Sequence, residues 1–204
     1  MNPSAAKAAG AGHEVAIGLG SNLGPSLALL ATVWRELREC PALTPLALSA
    51  PYRSQPLDMA SDNWFVNAAA LVRTPLAPDA LLRLLQTLET RHGRDRGAGT
   101  GGYRDRTLDL DLLLYDDLVL TTEDLIIPHP RLARRLFVLA PLAEIAADRR
   151  HPGLGRTIGA LLAELQQTDH GQSVERISWP ERLAACAPAG RGKKKTAGTN
   201  QLDF

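Results

Sequence analysis

The chain has 204 residues, 45% of them hydrophobic and 22% charged, with a formal net charge of +1 at pH 7. That length supports one globular domain with extra segments, and the near-neutral balance argues against nucleic acid or an anionic membrane as the main partner. The two cysteines, Cys40 and Cys186, are far apart, which argues against a disulfide framework or zinc site, and no apolar run approaches the ~18 residues of a membrane span. The expectation is a soluble, cytoplasmic protein.

In chain order, residues 1–12 are rich in alanine and glycine and are expected to form a flexible lead. Val15-Ala16-Ile17-Gly18-Leu19 reads as a buried strand stopped by Gly20-Ser21-Asn22. Residues 25–40 carry Leu27, Leu30, Trp34 and Leu37 at helical spacing. The run Gly-Leu-Gly-Ser-Asn-Leu-Gly lacks the lysine of a Walker loop and the spacing of a dinucleotide fingerprint, so it reads as strand-to-helix punctuation. Residues 43–54 form a second strand that its prolines push toward an edge. Residues 64–73 alternate as a third, with Phe65, Asn67 and Ala69 on one face. The Asn67 amide suits the edge of a planar heterocycle, and it suits a neighbouring loop equally well. Residues 78–92 form a helix with the stripe Leu81, Leu84, Leu85 and Leu88, Gln86 and Glu89 on its flank, and Gly93 just past its end.

Between residues 91 and 106 the arginines Arg91, Arg94, Arg96, Arg104 and Arg106 alternate with glycines. Such a loop can be plainly solvated, or it can fold over a charged substrate with guanidiniums clamping phosphate oxygens. It leads into Thr107-Leu108-Asp109-Leu110-Asp111-Leu112-Leu113-Leu114-Tyr115. With a period of two, Leu108, Leu110, Leu112 and Leu114 share a core face, and Asp109 and Asp111 share the other. Their Cα atoms lie roughly 6.5–7 Å apart, so both carboxylates can reach one metal ion or hold a pair between them. All-oxygen ligands near phosphates suit magnesium. The alternative is a half-exposed edge strand with two solvated aspartates. Further on, residues 118–120 read as a short return strand, 125–130 as extended because of Pro128 and Pro130, and 131–147 and 157–167 as helices. Residues 168–204 lose periodicity and are expected to be a largely disordered extension with a flexible tail.

Taken together, Gly20-Ser21-Asn22-Leu23-Gly24, Tyr52-Arg53-Ser54, Phe65-Val66-Asn67-Ala68-Ala69, Leu88-Glu89 with Gly93-Arg94, Arg106 to Asp111, and Ile127-Pro128-His129-Pro130-Arg131 with Arg135-Leu136-Phe137 resemble the 6-hydroxymethyl-7,8-dihydropterin pyrophosphokinase family. The likeness covers about residues 15–162, within an expected catalytic domain of residues 13–167. It implies an α+β, ferredoxin-like fold: a four-stranded, mainly antiparallel sheet with helices packed on one face and a cleft on the other, plus an extra C-terminal helix. It also implies an enzyme that moves pyrophosphate from its co-substrate ATP to the pterin hydroxymethyl group, releasing AMP, with two magnesium ions on Asp109 and Asp111.

By the same resemblance Arg94, Arg106, Asp109 and Asp111 are catalytic, and Ser54, Leu57, Phe65, Asn67 and Phe137 bind the pterin. Gln86, Glu89, Arg96, Leu112, His129 and Arg135 serve the nucleotide or anchor its loop. The expected partners are these small molecules alone, bound to a monomer. One departure stands out. Where the family has an aromatic residue followed by Gly-Pro, this chain has Tyr103-Arg104-Asp105, which sets a negative charge beside incoming phosphates. The rivals are another two-metal phosphotransferase, which does not need the aromatic pair, and a nucleotide sensor without turnover.

Overall fold

A computed structural model describes residues 12–57, 61–94 and 105–180. The first apolar run forms β1 (His13–Ser21), buried along most of its length. It is followed by α1 (Ser26–Glu39), whose stripe of Leu30, Val33, Trp34 and Leu37 faces inward. Next come β2 (Thr44–Leu48), β3 (Tyr52–Ser54) and the long β4 (Phe65–Thr74). The helix α2 (Pro78–Arg91) starts on a proline, where the missing N–H costs no helical bond. Beyond it lie β5 (Asp109–Tyr115), the small pair β6 (Leu120–Thr121) and β7 (Ile126–Ile127), then α3 (Leu136–Ala146), α4 (Ile158–Thr168) and β8 (Val174–Arg176).

The main sheet is antiparallel, in the order β5-β1-β4-β3-β8, with β2 also paired to β4. On one face Leu30, Trp34, Leu37, Leu81 and Leu85 of α1 and α2 pack against Val15, Ile17, Ala70, Leu110 and Leu112. On the other face Leu139, Leu142, Ile158 and Leu161 of α3 and α4 pack against Ala16, Ala69, Leu71, Leu113 and Leu114. The α+β, ferredoxin-like architecture is the expected one. The single helical face holds for α1 and α2 only. α3 buries Leu136, Val138, Leu139, Ala140, Pro141 and Leu142, too much of its circumference for a surface position, so it covers part of the second face and leaves the rest as a cleft.

The sheet has six strands where four were expected. Residues 43–54 split in two because Leu48 pairs with Ala70 while Tyr52 pairs with Asn67, so Ser49, Ala50 and Pro51 stand against only Ala68 and Ala69. Pro51 has no N–H to give, and the Ala50 N–H turns away to Glu144 Oε2 at 2.9 Å. The sixth strand, β8, comes from the segment expected to be disordered; its ladder to β3 supplies an order that periodicity over three residues cannot announce. The helix expected over 131–147 is interrupted. A 3-10 turn over Leu132–Arg134 gives way to an extended Arg135 before α3 begins. Leu108, Leu110 and Leu112 share the α1/α2 core as expected, but Leu114 packs on the opposite side. Ile17 pairs with Leu112 and Ala16 with Leu114, so Leu113 is an extra residue, and this bulge reverses the alternation. No helix among the described residues is long and apolar enough to cross a membrane.

Candidate active site

The cleft occupies about 690 Å³ and is lined by Gly18, Gly20, Ser54, Leu57, Phe65, Asn67, Arg106, Asp109, Asp111, Arg135 and Phe137, among others. Strand register explains why these residues meet. Gly20 pairs with Asn67 on one side and Asp109 on the other, and Gly18 pairs with Ala69 and Asp111. Two strand spacings therefore separate Asn67 from Asp109, roughly 10 Å. The glycines between them form the floor. A Cβ on Gly20 would lie 3.2 Å from Asn67 Oδ1, so these residues do more than punctuate a turn. An isolated glycine in a strand is itself a sign of such a close approach.

At one end of the floor stand the aromatic residues. Phe65 lies on the same face of β4 as Asn67, two residues before it. Asn67 Nδ2 donates to Ser54 Oγ at 3.1 Å, which fixes the orientation of the amide. Phe137 faces the cleft from the first turn of α3, and the Arg135 guanidinium stands 5.4 Å from its ring centroid.

At the other end stand the charges. Asp109 accepts from Arg94 through Oδ1 and from Arg106 through Oδ2, both at 2.5 Å. Arg94 gets there because Gly93, at φ +82°, turns the chain so that the Arg94 amide returns to the Glu89 carbonyl at 3.0 Å. Asp111 projects from the same strand face. Burial, reinforced by the Asp109 carboxylate, pushes it up to about 7, against the pull of Arg106 and Arg135. His129 stands nearby. Its ring is pushed down to about 4 by burial and by Arg135. Nδ1 accepts the Arg131 N–H at 3.2 Å, which in a neutral ring leaves Nε2–H free to donate.

Asp105, the departure in the motif, does not confront phosphates unpaired. Its carboxylate accepts from Ser61 Oγ (2.6 Å), Asn22 Nδ2 (2.7 Å) and Asn63 Nδ2 (2.7 Å), and these bonds hold it below the usual carboxylate range. Asn22 Oδ1 also accepts the Arg106 N–H at 2.8 Å, and the Asn22 N–H donates to the Arg106 carbonyl at 3.2 Å. The turn after β1 thus holds Arg106 in place. Sequence reasoning missed Asn22, Ser61 and Asn63 as a group because they lie far apart along the chain. The only local clue was an acid in an unusual place.

Of the expected site residues, the structure gathers Ser54, Leu57, Phe65, Asn67, Arg106, Asp109, Asp111, Arg135 and Phe137 around one cleft. Arg94 joins them through Asp109. Three others are not among the cleft-lining residues described. Glu89 is 1% exposed, paired with Arg94, and accepts the Leu110 N–H at 2.7 Å, so it anchors β5 to α2. The Leu112 side chain lies in the opposite core, as the strand period requires. Gln86 sits on the half-exposed flank of α2 and is not among the cleft-lining residues described. Arg96 lies outside the described residues.

Paired carboxylates and arginines beside an aromatic-walled slot are the equipment of an enzyme that moves a phosphate-containing group onto a flat acceptor. Residues 16–147 match the family described as 7,8-dihydro-6-hydroxymethylpterin-pyrophosphokinase, and the chain belongs to that family. It is 37% identical over 161 residues to the 2-amino-4-hydroxy-6-hydroxymethyldihydropteridine pyrophosphokinase of Methylorubrum extorquens, covering 79% of this chain and 96% of the relative. It is 42% identical over 129 residues to the protein of the same name from Bacillus subtilis, covering 63% and 75%. The fold is shared with the wild-type HPPK-DHPS crystal structure of Plasmodium falciparum, with a TM-score of 0.62 at 13% identity over 83% of this chain and 49% of that one.

Proposed function

We propose that this chain transfers the terminal pyrophosphate of ATP to the hydroxymethyl oxygen of 6-hydroxymethyl-7,8-dihydropterin, with AMP as the leaving product, in folate biosynthesis. The observation that carries this reading is the placement of Asp109 and Asp111 in the same cleft as Asn67, Phe65 and Phe137. Phe65 and Phe137 grip the flat ring, and Asn67 with Ser54 reads its polar edge. The hydroxymethyl group then points along the floor toward the carboxylates. Arg94, Arg106 and Arg135 neutralise the triphosphate, and the His129 Nε2–H donates to one of its oxygens. The attacking oxygen bonds to the β-phosphorus as the bond from that phosphorus to the α–β bridging oxygen breaks, AMP leaves with that oxygen, and the hydroxyl proton passes to solvent. The acceleration comes from positioning and charge stabilisation.

The carboxylate pair fits a divalent cation. Asp111 resists ionising beside Asp109, a conflict that bound positive charge relieves. Asp109 and Asp111 offer oxygen donors only, a set that suits magnesium. Asp109 and Asp111 would hold two such ions, which supply charge neutralisation along the triphosphate. The decisive assay combines the chain, magnesium, ATP and the hydroxymethyl-dihydropterin. AMP and pterin diphosphate should form in equal amounts, and Asp109→Ala should lose several powers of ten in turnover. Release of ADP, or of no nucleotide product, overturns the reading.

A further inference from the structure

The segment after α4 reaches back to both walls of the ring slot. β8 adds to β3 with Val174 opposite Ser54, and Ser54 orients Asn67. Two residues before β8, Gln172 meets the start of α3. The first N–H groups of a helix have no partner within it, and Arg135, which precedes α3, makes no side-chain cap. Gln172 supplies one from 36 residues away: its Oε1 accepts the Leu136 N–H at 2.9 Å. Its Nε2 donates to the Arg134 carbonyl at 3.0 Å and to Asp169 Oδ2 at 2.6 Å. One amide thus holds the chain on either side of Arg135, immediately before Phe137. Phe137 and Gln172 also line a shallow hollow beside the cleft.

We propose that Gln172 is a positioning residue for acceptor binding: by capping α3 at Leu136 it sets where Phe137 and Arg135 stand, and so sets affinity for the flat heterocycle. This rests on Phe137 being the ring wall. Of the arginines that face the triphosphate, Arg94 is held by Glu89 and Arg106 by Asn22, so Gln172 reaches the phosphate end only through Arg135 and acts chiefly on the acceptor.

The test is a double-mutant cycle on the full chain with Gln172→Leu, Phe137→Ala and the pair, measuring calorimetric binding of 6-hydroxymethylpterin, steady-state constants and thermal midpoints. Gln172→Leu keeps the bulk of the side chain and removes the cap. Losing one hydrogen bond of ordinary strength should raise the pterin dissociation constant and KM about threefold to tenfold, with a smaller rise in the KM for ATP through Arg135. In the Phe137→Ala background the same change should have little further effect, because the ring it positions is gone. Gln172→Ala repeats the comparison if the leucine variant is poorly soluble. Effects that multiply independently in the cycle, or losses of ATP and pterin affinity of equal size together with a fall in the thermal midpoint, overturn the proposal alone. Normal pterin binding by Phe137→Ala overturns the ring-wall reading beneath it as well.

Discussion

Phe65 and Phe137 differ in what holds them: one opens the strand β4, the other stands on the first turn of a helix. Both present a ring to the same slot, and aromatic stacking on a heterocycle is worth about 1–3 kcal/mol. Each alanine variant should lose about that much pterin affinity while binding nucleotide nearly as before, measured by calorimetry for the two ligands separately. Loss of both affinities together would mean that the rings support the fold instead. His129 makes a second prediction at this scale. Its folded pKa is depressed from 6.5 to about 4. Between those values the unfolded chain binds a proton that the folded ring, facing Arg135 and Asp109, refuses. Its contribution to stability therefore falls as pH falls through that window, by up to about 3 kcal/mol. Asp111, raised toward 7, has the opposite sign, so the clean measurement is the difference between wild type and His129→Gln in denaturant melts from pH 7 to 4. Parallel curves for the two proteins would show that the ring is not held neutral.

At the scale of elements, β5 shows how far the sequence could be read and where it stopped. The alternation from Thr107 correctly placed Asp109 and Asp111 on one face, because side-chain direction in a strand depends only on its own backbone. It misplaced Leu114, because the bulge at Leu113 depends on the register with β1, which no local pattern carries. The amphipathic stripes of α1 and α2 were legible for the same local reason. The start of α3 was not, since its cap comes from Gln172, and neither was the role of Glu89, whose carboxylate serves an amide 21 residues away. Asp105 belongs with these. It ties the turn after β1 and the loop at Ser61 and Asn63 to the entry of β5. Asp105→Ala should therefore free Arg106 to wander and lower kcat/KM for ATP several-fold, whereas Asp105→Asn, which keeps an acceptor for Ser61 and Asn22, should retain most of it. Equal losses in the two variants would point to the charge of Asp105 and not to the tie it makes.

Across the whole molecule, one sheet serves two cores. β1 gives Val15 and Ile17 to one and Ala16 to the other, β4 divides Ala68 and Ala70 from Ala69 and Leu71, and β5 divides Leu112 from Leu113. Neither core survives alone, so thermal unfolding should be one transition, seen alike in the far-ultraviolet signal and in tryptophan fluorescence from buried Trp34 and from Trp179, which donates to the Ser49 carbonyl. Asp109 closes on Arg94 and Arg106, so ATP must compete with that carboxylate for both guanidiniums. Magnesium held by Asp109 would relieve that competition. ATP in the presence of a chelator should accordingly raise the melting temperature little. At a hundred times its dissociation constant, magnesium-ATP should stabilise by about 2.7 kcal/mol, or roughly 5–10 °C for a domain of this size. In Asp109→Ala the competing carboxylate is gone, so ATP alone should stabilise that variant more than wild type, and magnesium should add little. If ATP without magnesium stabilises the two proteins equally, the carboxylate does not guard the phosphate site.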